Sequence, residues 1–154
     1  MADTPPASAA GATRVLGVDF GSERIGLSLS DPLGIIASPA GSIRNDRLKW
    51  DHLREFVRNQ NVALVVVGMP LNLKGQKARK ALEVEEFMET LKRETGLEVL
   101  VWDERFTTTI AQQTLRAMGT RKKERQQDKG RVDSMAAAII LQSFLDSTKQ
   151  SRSC

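Results

Sequence analysis

The sequence predicts an α/β fold: a mixed five-stranded sheet with its first three strands antiparallel, its later strands parallel, and helices on both faces. Two observations predict it. The first part of the chain holds short apolar segments of period two, joined by short links. The remainder alternates segments of helical period with short apolar runs, which is typical of α/β units. With 154 residues and no internal repeat, the chain fits a single domain.

The strands of the first half follow from apolar patterning. The run Val15–Val18 ends at Asp19 and predicts a buried strand. Alternation over Arg24–Ser30 predicts a second strand, which the short link makes the partner of the first in an antiparallel hairpin. Ile35–Ile43 predicts a third strand, and Pro39 within it indicates a position towards an edge.

The second half alternates helices with buried strands. A helix carries Trp50, Leu53 and Phe56 on one face, with Asn45 or Asp46 expected to cap its start. The wholly apolar run 63–67 predicts a strand covered on both faces. The other predicted elements are a helix over Lys77–Thr95 stopped by Gly96, a strand over Leu97–Trp102, a helix over Thr108–Met118, a charged loop over Gly119–Gly130 and a closing helix over Val132–Leu145.

Composition limits the class of protein. We expect a disordered tail over 1–13, the folded domain over 14–147 and a flexible tail over 148–154. The only cysteine, Cys154, cannot form an internal disulfide, which favours a reducing compartment. No apolar run is long enough to span a bilayer, and the N-terminus lacks the pattern of a secretory signal. The expected location is the cytoplasm.

Three acidic residues stand where core elements begin or end. Asp19 ends the first strand, Glu104 follows the fifth, and Asp133 lies at the start of the last helix beside apolar residues. Ligands of open α/β sheets bind at the carboxyl ends of the strands. Carboxylates that converge there repel one another unless a cation neutralises them, and Mg²⁺ or Mn²⁺ prefers such oxygen ligands. The alternative is that each acid only caps a strand or helix end.

The segment 119–131 concentrates positive charge next to Asp133. It has six basic and two acidic side chains, so its net charge of +4 equals that of the whole chain. Such a patch suits a nucleic-acid backbone, although it is also compatible with a solvated loop. If it is only a loop, we would look for the nucleic-acid groove around 72–80. The candidate nucleic-acid-binding residues are Arg121, Lys122, Lys123, Arg125, Lys129 and Arg131.

Four segments together resemble the YqgF/RuvX family, described as Holliday junction resolvases or pre-16S rRNA nucleases. They are Gly17–Gly21 with Arg24–Gly26, Gly68–Pro70 with Asn72 and Gly75, Trp102–Thr108, and Lys129–Asp133 with Ala136 and Ala137. The match covers 14 to about 146, with Phe106-Thr107 where the family often has Leu-Ser. The resemblance implies an RNase H-like fold, divalent-metal dependence, and Asp19, Glu104 and Asp133 as the catalytic acids.

The sequence therefore predicts a nuclease that hydrolyses phosphodiesters in structured nucleic acid with Mg²⁺ or Mn²⁺, as two ions bridged by Asp19. The substrate is either an rRNA precursor or branched DNA, and the protein a monomer or a homodimer. One alternative is a non-catalytic nucleic-acid-binding module of the same fold. The other is a nucleotide-binding half-domain of the actin or Hsp70 type, suggested by the turn at Asp19–Ser22. No second turn of that kind occurs in the sequence, which disfavours the nucleotide-binding hypothesis.

Overall fold

The computed structural model describes residues 13–69, 79–104 and 129–152, which form five strands and three helices. No helix in these ranges is both long and apolar enough to cross a bilayer. The strands are β1 (Arg14–Phe20), β2 (Arg24–Ser30), β3 (Ala37–Arg44), β4 (Val62–Met69) and β5 (Glu98–Asp103). The helices are α1 (Lys49–Asn59), α2 (Arg79–Thr95) and α3 (Lys129–Arg152).

The strands form one mixed sheet in the order β3-β2-β1-β4-β5. The pairs β1–β2 and β2–β3 are antiparallel, whereas β1–β4 and β4–β5 are parallel. The predicted fold class is confirmed. The edge position of β3 is confirmed too: Pro39 lies opposite Ser28 beside a shift in register, where a residue without an N–H does least harm.

The predicted cap of α1 is wrong. Leu48 holds the N-cap position and makes no side-chain cap hydrogen bond. The side chain of Asp46 instead accepts the N–H of Leu48 at 3.0 Å and closes the preceding turn. The amide of Asn45 donates to the carbonyl oxygen of Gly21 at 2.8 Å, which ties this segment to the β1–β2 link. Both polar side chains are therefore engaged before the helix begins.

Two helix ends show how local chemistry sets length. The helix α2 stops as predicted at Gly96, which has a φ of 72° and donates its N–H to the carbonyl of Lys92 at 2.8 Å. The helix α3 continues to Arg152, past the predicted end at Leu145, so 148–152 of the predicted tail are helical. The hydroxyls of Ser147 and Thr148 donate to carbonyls three residues earlier and are accommodated within the helix. Residues 1–12 and the predicted helix over Thr108–Met118 lie outside the described residues.

Large side chains fill the sheet face covered by α1 and α2. The alternating residues of β1, Leu16, Val18 and Phe20, are all buried there. The ring of Phe20 packs against Phe87 of α2 with 4.7 Å between centroids. This cluster also includes Ile25, Leu27, Leu53, Val65, Val67, Ala81, Val84 and Leu91.

Small residues line the opposite face, which α3 covers. A Cβ added at Gly17 would lie 2.7 Å from the Cβ of Leu141 and would overlap the hydroxyl of Ser28. That hydroxyl donates to the carbonyl oxygen of Ala137 at 2.8 Å, and Ala137 and Ala138 are fully buried. This alanine-rich helix therefore lies close against the sheet.

We expect Gly17→Ala to lower the free energy of unfolding by about 1–3 kcal/mol, because the added methyl overpacks the contact between β1 and α3. Elsewhere in a strand the same change tends to stabilise, since glycine loses more backbone entropy on folding. Urea unfolding of the variant and the wild type measures the difference. A variant as stable as the wild type would contradict the tight packing.

Candidate active site at the carboxyl edge of the sheet

The three acids predicted from the sequence lie at one edge of the sheet. Asp19 is the penultimate residue of β1, Glu104 directly follows β5, and Asp133 lies in the second turn of α3. All three are partly buried. Since β1, β4 and β5 are parallel, their carboxyl ends meet at the same edge. The chain thus brings together carboxylates separated by up to 114 positions in sequence.

Two glycines set the spacing of these acids. Gly26 is the antiparallel partner of Asp19, and a Cβ there would overlap the carbonyl of Asp133. Gly68 follows Val67, and a Cβ at Gly68 would lie 2.9 Å from Oε2 of Glu104. Asp19 therefore has a glycine opposite it on β2, and on β4 a glycine follows Val67, the partner of Val18. The backbone of Asp133 lies over Gly26, and the side chain of Glu104 lies over Gly68.

Buried hydrogen bonds hold α3 in this position. The hydroxyl of Ser134, next to Asp133, donates to the carbonyl of Leu27 at 3.0 Å and accepts the N–H of Gly41 at 2.9 Å. Further along, Oε1 of Gln142 accepts the N–H of Ala37 at 2.9 Å. Ser134 and Gln142 are almost wholly buried. The sequence analysis did not identify them, because a lone serine or glutamine carries no pattern.

Asp19 is the electrostatic centre of the site. Burial raises its pKa to about 6, and the carboxylates of Glu104 and Asp133 add to the increase, whereas the ammonium of Lys80 opposes it. Burial likewise raises the pKa of Glu104; Lys80 lowers it and Asp103 raises it. Asp19 thus interacts with both other acids, and Lys80 of α2 interacts with the two on the strands. The sequence analysis included Lys80 only as the last residue of 72–80, the alternative position for the nucleic-acid groove.

The donor set fits a hard divalent cation. All the candidate ligands are carboxylate oxygens, and their burial and mutual repulsion are relieved when a cation binds. Among residues 13–69, 79–104 and 129–152, no three Asp, Glu, His or Cys side chains are grouped so as to hold one ion. Mg²⁺ needs only one or two carboxylates, since water and phosphate oxygens complete its shell. Asp19 together with Glu104 or with Asp133 supplies that number of carboxylates.

The structure describes the backbone of only two of the six predicted basic residues. Arg121, Lys122, Lys123 and Arg125 lie outside the described residues. Lys129 and Arg131 lie in the first turn of α3, just ahead of Asp133 in the chain. Their proposed contact with nucleic acid stays a prediction.

A family model and two relatives match most of this chain. A family model described as "RuvX: Holliday junction resolvase" matches residues 13–147. A protein of Sulfurihydrogenibium sp. named "Putative pre-16S rRNA nuclease" is 38% identical over 136 residues, covering 87% of this chain and 90% of the relative. A protein of the same name from Lachnospira eligens is 37% identical over 142 residues, covering 89% of this chain and 99% of the relative.

Solved structures agree on the fold. The chain is similar to T. thermophilus RuvC in complex with a Holliday junction substrate, with a TM-score of 0.55 and 12% identity over 89% of this chain and 96% of that one. A fowlpox virus resolvase bound to Holliday junction DNA gives a TM-score of 0.54 and 10% identity, over 88% and 98% of the two chains. At these identities the likeness concerns the fold, which is RNase H-like.

Without metal, Asp19 should make stability depend on pH. The pKa of Asp19 is about 6 in the folded protein, above the ordinary 3.8. Its contribution to the free energy of unfolding is therefore fully present below about pH 4 and is lost as the pH rises through 6. In EDTA, Asp19→Asn should therefore unfold with about 1–3 kcal/mol more free energy than the wild type at pH 8. That difference should shrink towards pH 4.

Urea unfolding at several pH values measures this effect. Asp51→Asn serves as the control, since that exposed carboxylate of α1 should show no such gain at pH 8. A difference between Asp19→Asn and wild type that is independent of pH, or of opposite sign, would contradict the burial of the charge.

Proposed function

The chain belongs to the RuvX Holliday junction resolvase family, and from this premise we propose that it is a divalent-metal-dependent nuclease acting on structured nucleic acid. The observation that carries the proposal is the placement of Asp19 between Glu104 and Asp133. A partly buried carboxylate coupled to two others is costly by itself and useful where cations and a phosphodiester bind.

Asp19, Glu104 and Asp133 would hold the Mg²⁺ or Mn²⁺ ions, of which we expect two. Bound there, such ions supply an activated water nucleophile and stabilise the charge on the attacking and leaving oxygens of a phosphodiester. The protein supplies the rest. The glycines at 26 and 68 let the backbone of Asp133 and the side chain of Glu104 lie close to the strands, and the hydrogen bonds of Ser134 fix the helix that carries Asp133.

Two substrates have support from different observations. The names of relatives that are 37–38% identical point to the precursor of 16S rRNA. The family description and the junction-bound structures of the same fold point to four-way DNA. Symmetric cutting of a junction requires two copies related by a two-fold axis, whereas processing of an RNA end requires only one.

We expect Asp19→Asn, Glu104→Gln and Asp133→Asn each to reduce cleavage by about 100-fold or more, because each change removes a charged metal ligand. Initial rates in Mg²⁺ and Mn²⁺ measure the loss, and circular dichroism checks the fold. Glu98→Gln is the matched control, since this exposed acid begins the strand that Glu104 follows. Wild-type cleavage by any of the three variants would refute the three-acid site.

A second experiment identifies the substrate. A four-way DNA junction and an RNA spanning the ends of a 16S precursor are incubated with Mg²⁺ or Mn²⁺, with Asp19→Asn as the control. We expect cleavage of at least one substrate, and its complete loss in EDTA. Binding without cleavage of either substrate would favour the non-catalytic module, and ATP binding detected by calorimetry would favour the nucleotide-binding reading.

A further inference from the structure

The packing of α2 places Lys80 at the edge of the sheet that carries the acids. Phe87 of α2 packs on Phe20, which directly follows Asp19. Lys80 lies seven residues before Phe87, or roughly 10 Å along the helix. Because α2 crosses back between the parallel strands β4 and β5, its start lies towards their carboxyl ends. Lys80 therefore lies near the level of Glu104.

The burial pattern leaves Lys80 open to solvent. Its neighbour Ala81 and, one turn later, Val84 are fully buried against the sheet, whereas Lys80 itself is exposed. This exposure lets a phosphate approach the ammonium from outside. It also makes a packing role for the side chain small, so a substitution should not disturb the fold.

Basic residues are concentrated around the start of α2. The described part of the helix starts with Arg79-Lys80, and the segment 74–80 contains four basic residues and no acidic one. Lys80 is therefore one of a group of positive charges, and such a group attracts a polyanion.

The ammonium is close enough to act on two of the three acids. It interacts electrostatically with the carboxylates of Asp19 and Glu104. A fixed positive charge beside carboxylates that hold metal ions weakens the binding of those ions. Once cations occupy the carboxylates, the ammonium is favourable if a further anion enters the same space. A phosphodiester supplies that anion.

We propose that Lys80 is a substrate-contacting residue whose ammonium binds a phosphate oxygen of the nucleic acid presented to Asp19, Glu104 and Asp133. This inference rests on the proposed function and adds a contact from the sheet face opposite α3. The substrate backbone would then be held between a lysine on α2 and the acid on α3. The simpler alternative is that Lys80 only neutralises the carboxylates when no substrate is present.

The test compares Lys80→Gln and Lys80→Arg with Lys92→Gln, an exposed lysine on the same helix roughly 18 Å further along. Cleavage of the junction or RNA substrate gives kcat and KM. Binding of the same substrate in Ca²⁺, across a salt series, gives the number of phosphate contacts. Titration of the free protein with Mn²⁺ gives metal affinity.

We expect Lys80→Gln to lower kcat/KM by about 10–100-fold and to reduce the salt slope by about 0.7–0.9, the value for one lost phosphate contact. Its Mn²⁺ affinity should equal or exceed that of the wild type, because a repelling charge is gone. Lys80→Arg should recover most of the loss, and Lys92→Gln should behave as wild type.

Two results would overturn the proposal: a wild-type salt slope in Lys80→Gln, or weaker Mn²⁺ binding, which would show that Lys80 acts through the carboxylates. The proposed function can fail separately. If the wild type binds nucleic acid and cuts neither substrate, the nuclease assignment fails, while the salt slopes of Lys80→Gln and Lys92→Gln still decide whether Lys80 contacts phosphate.

Discussion

The approach of α3 to bare backbone on the sheet is the constraint on which the rest of the structure depends. Residues 17, 26 and 68 are glycines on three adjacent strands, and a methyl group at any of them would collide with α3 or with Glu104. The helix can therefore pack with its alanines almost on the strands. Because Asp133 lies on that helix, this packing distance also sets how far its carboxylate is from Asp19. The packing of the core therefore determines the geometry of the candidate site.

The two faces of the sheet are packed in different ways. Among the described residues, the largest cluster of buried apolar side chains lies beneath α1 and α2, and burial of apolar surface is the main source of folding free energy. The α3 face instead has small residues and buried hydrogen bonds, in which Ser28 and Ser134 donate and Gln142 accepts. Such bonds contribute modestly to stability, but they are costly to break and so define one position for the helix. A precise position matters more on this face, because it carries the acid.

Much of this was predictable from the sequence, and the failures have physical reasons. Period-two alternation and continuous apolar runs gave all five strands, since burial on one or both faces leaves a direct mark on composition. The acids were identifiable because charged residues at the ends of buried segments are expensive. The cap of α1 was mispredicted because Asp46 has two ways to satisfy its side chain, and the choice depends on the turn. The roles of Gly26, Gly68 and Ser134 depend on contacts between distant segments, which no local pattern records.

The position of Lys80 also depends on contacts between distant segments, and only the structure shows it. In the sequence it is one of several basic residues at the start of a predicted helix, with nothing to distinguish it. The crossover of α2 between two parallel strands brings the start of that helix to the carboxyl edge, and the packing of Phe87 against Phe20 fixes how far it projects. A positive charge then opposes the raised pKa of the two strand acids, which burial causes. A site built only to bind cations would gain by losing that lysine, whereas a site that must accept cations and a phosphodiester together gains by keeping it.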